Sequence, residues 1–168
     1  MVCLSKNITL AWFGAVALFA LSANAAPLMQ KNISVDHAWM VVDAVNAECG
    51  QPGRQSMTIA VVDRAGNPVL MIRADTASPH NWNQVYRKAY TARTFRRPSI
   101  VWRNDSAPGT EREGQRQLSN VLPLAGGAPI NSGDETVGAV GVSGAMGGQP
   151  ADDACARAAA ASISAELE

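Results

Sequence analysis

Apolar residues recur along the chain at two different spacings, which predict helices in some stretches and strands in others. From Val35 to Cys49 they follow one another every three or four residues, as on the buried face of a helix. Ser34 or Asp36 is expected to cap this helix, and Gly50 follows its end. The pattern therefore predicts a first helix that packs one side against a core.

Two further helices are predicted in the same way. One begins near Ser78 or Pro79, because proline is favoured in the first turn of a helix. The other is rich in alanine, and it is expected to extend from a cap at Asp152 or Asp153 to about Leu167. Both carry apolar residues at helical spacing and should cover part of a sheet.

Strands are predicted where β-branched and other apolar residues lie between clusters of turn residues. The predicted strands are residues 57–63, 68–73, 121–125, 128–131 and 136–143. Short turns join successive strands, so the sequence predicts an α/β domain with a five-stranded antiparallel sheet and helices on both sides. Glycines interleave residues 136–143, which predicts a central strand that other backbone approaches closely.

The N-terminal stretch, residues 1–25, has the features of a signal peptide. Lys6 precedes an apolar run over residues 8–21, and Ala25 ends a small-residue cleavage site. The run is shorter than the roughly 20 apolar residues of a membrane-spanning helix. Cleavage would leave residues 26–168 as a single domain, which we expect to be periplasmic or secreted without stable membrane insertion.

The charge balance argues against a nucleic-acid partner. The chain carries 14 basic and 14 acidic residues, whereas nucleic-acid-binding domains usually show a strong basic excess. Near neutrality also favours association between copies of the chain. The charge balance therefore disfavours a nucleic-acid partner and is compatible with self-association.

Cys49 and Cys155 are the two cysteines that remain after removal of the signal peptide. In an oxidising compartment they could form a disulfide between the two ends of the domain, worth about 4 kcal/mol in the chain-entropy model. The alternative is a pair of small buried thiols between packed helices. The sequence has no CxxC motif and no cysteine and histidine cluster, so structural zinc is not expected.

No catalytic residue is predicted, because the chain offers little material for a catalytic triad. Its two histidines are His37 and His80, and no HExxH or GxSxG motif occurs. Ser78 lies beside His80, but both fall at a predicted helix start, where capping explains the serine.

A run of cations without an intervening acid is the clearest candidate binding feature. Its members are Arg87, Lys88, Arg93, Arg96, Arg97 and Arg103. One interpretation is a solvated basic helix face, favoured near a helix C-terminus by the helix dipole. The other is a receptor for carboxylate groups, which arginine binds in a forked geometry.

Two glycine-rich turns are weaker candidates. Backbone N–H groups exposed at Gly126 and Gly127, or in the loop of residues 144–148, could hold an anion or part of a ligand. Neither turn matches a phosphate-binding fingerprint. Tight hairpin geometry is the alternative explanation of the Gly126 and Gly127 pair.

Five sequence blocks, taken in order, resemble the GlcG/HbpS family of haem-binding and haem-degrading-like domains. The blocks are TIAVVDRAGNPVLMIRAD, RKAYTARTF separated by two residues from a following proline, LAGGAPI, VGAVGVSGA and DDACARAAAA. The resemblance implies a profilin-like three-layer α/β/α domain that assembles into homo-oligomers, commonly tetramers or octamers. It also implies that some exported members bind haem.

Haem requires apolar walls, an axial ligand to iron and cations for its two propionates. His80 is the expected iron ligand, because it lies in the loop before the basic helix. The alternative ligands are Tyr86, Tyr90 and Met146. The cations expected to meet the propionates are Arg87, Lys88 and Arg93. On this hypothesis the turn with His80 and the basic helix converge on one hollow.

Three hypotheses about function stay open at this point. The first is an exported oligomeric protein that binds haem or a related tetrapyrrole for sequestration or sensing. The second is an enzyme acting on a small organic acid or a tetrapyrrole, with the glycine-rich turns holding the substrate. The third is an assembly component whose shared features serve folding and oligomerisation alone.

Overall fold

Helices and strands follow the amphipathic stretches of the chain. The structure is a computed structural model that describes residues 26–50 and 57–167, so the signal peptide predicted over residues 1–25 lies outside the described residues. The elements in chain order are α1 Val35–Cys49, β1 Thr58–Asp63, β2 Pro68–Arg73, α2 Asn81–Phe95, α3 Ser99–Asp105, a 3₁₀ helix Glu113–Gln117, β3 Gly127–Ser132, β4 Glu135–Ser143 and α4 Gln149–Glu166.

The cap predicted for α1 is present at Ser34. Its Oγ accepts a hydrogen bond from the backbone N–H of His37 at 3.2 Å. In return, the His37 ring accepts the backbone N–H of Ser34 at 3.4 Å. This reciprocal capping box satisfies two backbone donors that would otherwise lack partners at the helix start.

The starts of α2 and α4 differ from the prediction. Before α2, the Asn81 N–H donates to the Ser78 carbonyl at 3.0 Å and closes a turn, so the helix begins after that turn. α4 begins earlier, at Gln149, with Pro150 in its first turn. Asp152 does not cap α4, because its carboxylate accepts the N–H of Ala145 in the preceding loop.

One antiparallel sheet of four strands lies at the centre of the fold. The strand order is β2-β1-β4-β3, so β1 and β4 are central and β2 and β3 are the edges. The fifth strand, predicted over residues 121–125, is wrong. The Leu122 N–H donates to Thr91 Oγ1 at 2.9 Å and the Ala125 N–H to Gln149 Oε1 at 3.0 Å. Side chains of α2 and α4 thus satisfy this backbone, and no ladder is needed.

Helices cover both faces of the sheet and make three layers. We call the side covered by α1 and α4 the disulfide face, and the side covered by α2 and α3 the α2 face. Side chains alternate between the two faces along each strand. The strand residues in the larger core, on the disulfide face, include Ile59, Val61, Val140 and Val142. Val62 and Ala139 face Ala89 and Ala92 on the other side.

α2 lies unusually close to the sheet because glycines line its path. A methyl group on Gly141 would overlap the Val85 carbonyl, and one on Gly127 would overlap the Lys88 carbonyl. Only glycine permits this approach of backbone to backbone. The prediction of a central, closely approached strand over residues 136–143 is therefore confirmed.

A disulfide joins the two helices of the disulfide face. Cys49 at the end of α1 is bonded to Cys155 in α4, with their Cα atoms 5.9 Å apart and a sequence separation of 106. Of the two alternatives for these cysteines, the structure contains the bonded pair. Within residues 26–50 and 57–167, no helix is long and apolar enough to cross a membrane.

Candidate functional site

The basic residues expected to form one ligand-binding surface are distributed around α2. Lys88 faces the sheet, Arg87 faces residues 121–122, and Arg93 faces the β1–β2 turn. Side chains at these spacings project from different sides of a helix. The structure therefore does not bring the three cations together at His80.

Lys88 is almost fully buried, with 1% of its side chain exposed. Its ammonium donates hydrogen bonds to the Asp152 carboxylate at 2.8 Å and to the Val142 carbonyl at 2.9 Å. Burial lowers the pKa of Lys88, and the negative charge of Asp152 opposes this shift. The pair joins α2 to β4 and α4. Lys88 thus forms a buried ion pair that stabilises the packing of α2, and it cannot reach a ligand at the surface.

Gly126 and Gly127 enclose that ion pair. Gly126 has a φ of 110°, and a methyl group there would lie 2.6 Å from the Val142 carbonyl oxygen and 3.0 Å from Lys88 Nζ. The Gly127 N–H donates to Ser99 Oγ at 2.8 Å. This N–H is already occupied, and both glycines are buried. The pair accommodates the Lys88 ammonium and α2, and does not form an open cradle for an anion.

Tyr86 and Tyr90 lie on the side of α2 that faces the β1–β2 hairpin. Their ring centroids are 5.9 Å apart, and a methyl group on Gly66 would meet the Tyr90 ring at 3.0 Å. Burial, and then the neighbouring Tyr90, raise the pKa of Tyr86. Tyr86 also packs against the small apolar cluster that contains Val62 and Ala139 of the sheet. These contacts hold both rings toward the hairpin.

His80 immediately precedes α2 and is exposed. Two side chains that follow it, Asn81 and Gln84, accept hydrogen bonds from Ser143 Oγ at 3.3 and 3.1 Å. Because Ser143 ends β4, these bonds place His80 at the same end of the sheet as the loop of residues 144–148. Among the hydrogen bonds between described residues, none involves the His80 imidazole, so both ring nitrogens can bind a ligand.

Three further side chains at this end were not singled out together by the sequence. Trp82 is 47% exposed and Met146 is 61% exposed, so both offer apolar surface to a ligand. Arg73 ends β2, pairs in register with Thr58 and is exposed. Thr58 in turn pairs with Ser143, so Arg73 lies at the same end of the sheet. We call this group, His80, Trp82, Met146 and Arg73, the His80 surface.

Arg93 lies far from the His80 surface. At 1.5 Å per residue, it is about 20 Å along the helix axis from His80. There it belongs to a polar pocket of about 390 Å³, which we call the arginine pocket. The pocket is lined by Gln30, Asn32, Arg64, Ala65, Arg93 and Arg96. The single hollow expected from the sequence therefore does not include Arg93.

The donor groups restrict what metals the protein could hold by itself. Across the part of the chain that the structure describes, no group of three or more histidine, cysteine, aspartate or glutamate side chains could enclose a metal ion. A haem iron takes four of its ligands from the nitrogens of the porphyrin, so a haem site does not require a cluster of this kind.

A family comparison identifies the chain. Residues 33–161 match the family described as "Haem degrading protein HbpS-like". The match contains the whole sheet, α2 and the His80 surface. This chain belongs to the HbpS-like family. The resemblance noted from the sequence blocks is thereby confirmed.

The HbpS-like chain is also similar to a protein of Citrobacter freundii, described as an uncharacterized 15.0 kDa protein in the dhaT-dhaS intergenic region. The two are 35% identical over 91 residues, which is 52% of this chain and 63% of the relative. The alignment thus spans less than two thirds of that relative's length.

Solved structures with the same fold include a double mutant of HbpS from Streptomyces reticuli. That structure is 27% identical to this HbpS-like chain, with a TM-score of 0.73. The alignment covers 89% of this chain and 97% of the HbpS chain. A second is the crystal structure of a PduOC:heme complex, with a TM-score of 0.69 and 20% identity over 77% of this chain and 94% of its own. At that identity the second likeness shows the fold alone.

Proposed function

We propose that this protein is an exported haem-binding protein that sequesters or senses haem or a related tetrapyrrole. The observation that carries the proposal is the HbpS-like match over residues 33–161, which contains the complete sheet. The PduOC:heme complex, which shares the fold, supports the same class of ligand. The fold is shared across the family, and the site depends on this chain's own residues.

The residues of the His80 surface fit the requirements of a haem. The exposed imidazole of His80 has no partner among the described residues and is a usual axial ligand for haem iron. Trp82 and Met146 offer apolar surface for a flat macrocycle, since both are largely exposed. When bound, haem would supply a redox-active iron that the described side chains do not provide.

Two arginines are proposed as partners for the carboxylates of the ligand. Arg73 is exposed at the end of β2, and it lies at the same end of the sheet as His80. Arg87 lies seven residues after His80, on nearly the same side of α2, and donates to the Val121 carbonyl at 2.8 Å. We propose that Arg73 is the principal carboxylate partner, because the structure gives Arg87 a backbone acceptor already.

A titration with haemin tests the proposal. Purified protein should produce a saturable Soret band, and His80→Ala should weaken haemin binding at least about tenfold or shift the band, since the axial bond is lost. His37→Ala is the matched control, because His37 is the other histidine of the chain and its ring is held by Ser34 at 2.9 Å. His37→Ala should leave the band unchanged.

The outcomes separate the parts of the proposal. A wild-type protein that gives no saturable Soret band would contradict haem binding. A band that His80→Ala leaves unchanged would keep haem binding but remove His80 as the axial ligand. Arg73→Gln should weaken binding several-fold without moving the band, because it contacts the carboxylates and not the iron.

Export to the periplasm or the medium is part of the proposal. It is supported by the signal-peptide features of residues 1–25 and by the Cys49–Cys155 disulfide. Disulfides persist in oxidising compartments and are rare in the cytosol. A chain that starts at Ala26 and carries an intact disulfide is the expected exported form.

Assembly into a homo-oligomer, a tetramer or an octamer, is proposed from the family resemblance. Two features support it: β2 and β3 are open sheet edges, and Trp39 on α1 is 50% exposed. Open edges and exposed aromatic side chains are surfaces that other copies commonly cover. Sedimentation velocity of the purified protein measures the number of copies, and a monomer at all concentrations would contradict this part.

A further inference from the structure

The arginine pocket is formed by three segments that are distant in sequence. Residues 30–32 lie on one side, the turn after β1 contributes Arg64, and the C-terminal end of α2 contributes Arg93 and Arg96. Contact between Tyr90 and the turn at Gly66 fixes the distance between α2 and the hairpin. The fold itself therefore brings the guanidinium groups together.

Arg64 is held in place from several directions. Its backbone N–H donates to Asn32 Oδ1 at 2.9 Å. Its Nη1 donates to the Lys31 carbonyl at 3.3 Å and to Glu135 Oε2 at 2.6 Å. These bonds restrict the side chain before any ligand arrives, which lowers the entropic cost of binding.

Arg93 has an unmet hydrogen-bonding requirement. Its Nε is buried and has no hydrogen-bond partner in the structure. Ion pairs within the described residues do not include Arg93 either. Burial lowers the pKa of Arg93, and the charges of Arg96 and Arg64 lower it further, while the negative charge of Asp63 opposes the shift. A buried donor next to like charges is stabilised by an acceptor that carries negative charge.

Arg96 is presented by an uncommon backbone conformation. It ends α2 with a φ of 53°, in the left-handed region where helices usually place glycine. A glycine would adopt this conformation more readily. The chain nevertheless has arginine here, and its side chain lines the pocket.

The nearby carboxylates are engaged elsewhere. Glu135 is paired with Arg64. Asp63 Oδ1 accepts the backbone N–H groups of Ala65 and Asn67, both at 2.8 Å, and so closes the hairpin turn. Arg93 and Arg96 are therefore left without a paired carboxylate among the described residues.

We propose that the arginine pocket binds a small oxyanion, at a site separate from the His80 surface. Planar guanidinium groups match the paired oxygens of carboxylates and phosphates, and the two without a paired carboxylate, Arg93 and Arg96, favour a ligand with two negative charges. A volume of about 390 Å³ accommodates a small molecule and not a macromolecule. The amide side chains of Gln30 and Asn32 add neutral donors at the rim.

Calorimetric titration of the purified full chain with inorganic phosphate and, separately, with succinate tests the proposal. Both titrations are made at one low ionic strength set with sodium chloride, because exposed charges are screened by salt. Saturable binding in either titration is the expected result. The stronger of the two identifies the natural ligand as a phosphate compound or as an organic acid.

Variants locate the binding. Arg93→Gln should weaken the better ligand at least about tenfold, because a charge-assisted hydrogen bond is lost. Arg112→Gln is the matched control, since it removes the same charge from an exposed position next to Asp105. The control should bind as the wild type does.

Arg96→Gly separates binding from folding. Glycine suits the φ of 53°, so this variant should melt no lower than the wild type. It should still bind the oxyanion about fivefold or more weakly, because one guanidinium is gone. A weaker affinity in a protein of unchanged melting temperature cannot come from unfolding.

Two results would overturn the proposal. The first is the absence of saturable binding of both phosphate and succinate by the wild type. The second is an Arg93→Gln variant that binds as tightly as the Arg112→Gln control. Neither result bears on haem, because Arg93→Gln is expected to leave the haemin titration unchanged.

Discussion

The two faces of the sheet are held to their helices by different means. On the disulfide face, α1 and α4 pack on valine and isoleucine side chains and are joined by the Cys49–Cys155 bond. On the α2 face, glycines let the helix backbone lie directly on the strands. A buried contact there is charged, between Lys88 of α2 and Asp152 of α4.

This difference separates stability from recognition. The disulfide face is apolar and covalently closed, so its residues serve as scaffold. The α2 face has a thin apolar layer, and α2 presents cations, tyrosines and His80 from its other sides. A helix fastened by its backbone leaves its outward side chains free for ligands. Both proposed sites accordingly lie at the ends of α2.

The largest effect is expected from breaking the charged contact of the α2 face. Lys88→Met would leave the Asp152 carboxylate buried without a cation, and 5% of that side chain is exposed. The free energy of unfolding should fall by about 3–5 kcal/mol, as for other buried pairs that lose one partner. Urea denaturation of the variant and the wild type measures the difference.

A second substitution distinguishes charge from packing. Asp152→Asn in the Lys88→Met background removes the unpaired charge and keeps an acceptor for the Ala145 N–H. The double variant should regain part of the unfolding free energy lost in Lys88→Met. If the losses of the two single variants simply add, the two residues are not coupled. Lys31→Met is the control, because Lys31 is exposed and should change stability by less than about 0.5 kcal/mol.

The disulfide face should respond to loss of its covalent bond. Replacing Cys49 and Cys155 by alanine removes a cross-link that spans 106 positions, and we expect a loss of about 2–4 kcal/mol in unfolding free energy. Reduction of the wild type should produce a similar loss. Urea denaturation with and without dithiothreitol measures both.

The double alanine variant is its own control, because dithiothreitol should not change its stability further. Intact mass of the exported protein tests the bond and the compartment together. It should show a chain starting at Ala26 with two hydrogens fewer than the reduced form. Two free thiols in the exported protein would contradict the disulfide.

Local patterns predicted most of the fold. The strand over residues 68–73 has the bounds predicted from its turn residues, and residues 136–143 form a central strand one residue longer. The strand prediction for residues 121–125 was wrong. Their apolar pattern suits a strand, but the backbone N–H groups of two of these residues donate to the side chains of Thr91 and Gln149. Such distant partners leave no signal in the local sequence.

The candidate sites were less predictable for the same reason. Lys88 was expected at a ligand. It is three residues from Val85 on the buried stripe of α2, and this helical spacing already indicated that Lys88 faces the core. Its partner Asp152 is 64 positions away, which no spacing reveals. Arg64 resembled an ordinary turn residue, because only the folded hairpin places it beside Arg93.

The smallest effect concerns Asp153, beside the charged contact where α4 approaches the α2 face. Burial raises the pKa of Asp153, while the charge of Arg157, a hydrogen bond from Gly126 and the charges of Arg103 and Lys88 oppose the shift. The native state therefore binds the proton more tightly than the unfolded chain. Its stabilising contribution is complete below the unfolded carboxyl pKa and is lost as pH rises through the native value.

Asp153→Asn keeps a neutral side chain at every pH and so removes this loss. The free energy of unfolding of the variant minus that of the wild type should increase as pH rises from about 4 to 7, above the ordinary aspartate pKa. The variant thus becomes more stable relative to the wild type. Urea denaturation across this range measures the trend. Asp43→Asn is the control, because Asp43 is an exposed residue of α1. A difference that stays constant with pH would mean that Asp153 has the same pKa in the native and unfolded states, which contradicts the prediction. A difference that falls with pH would mean that the charged carboxylate is the form stabilised by Arg157, and that the charged contact extends beyond Lys88 and Asp152.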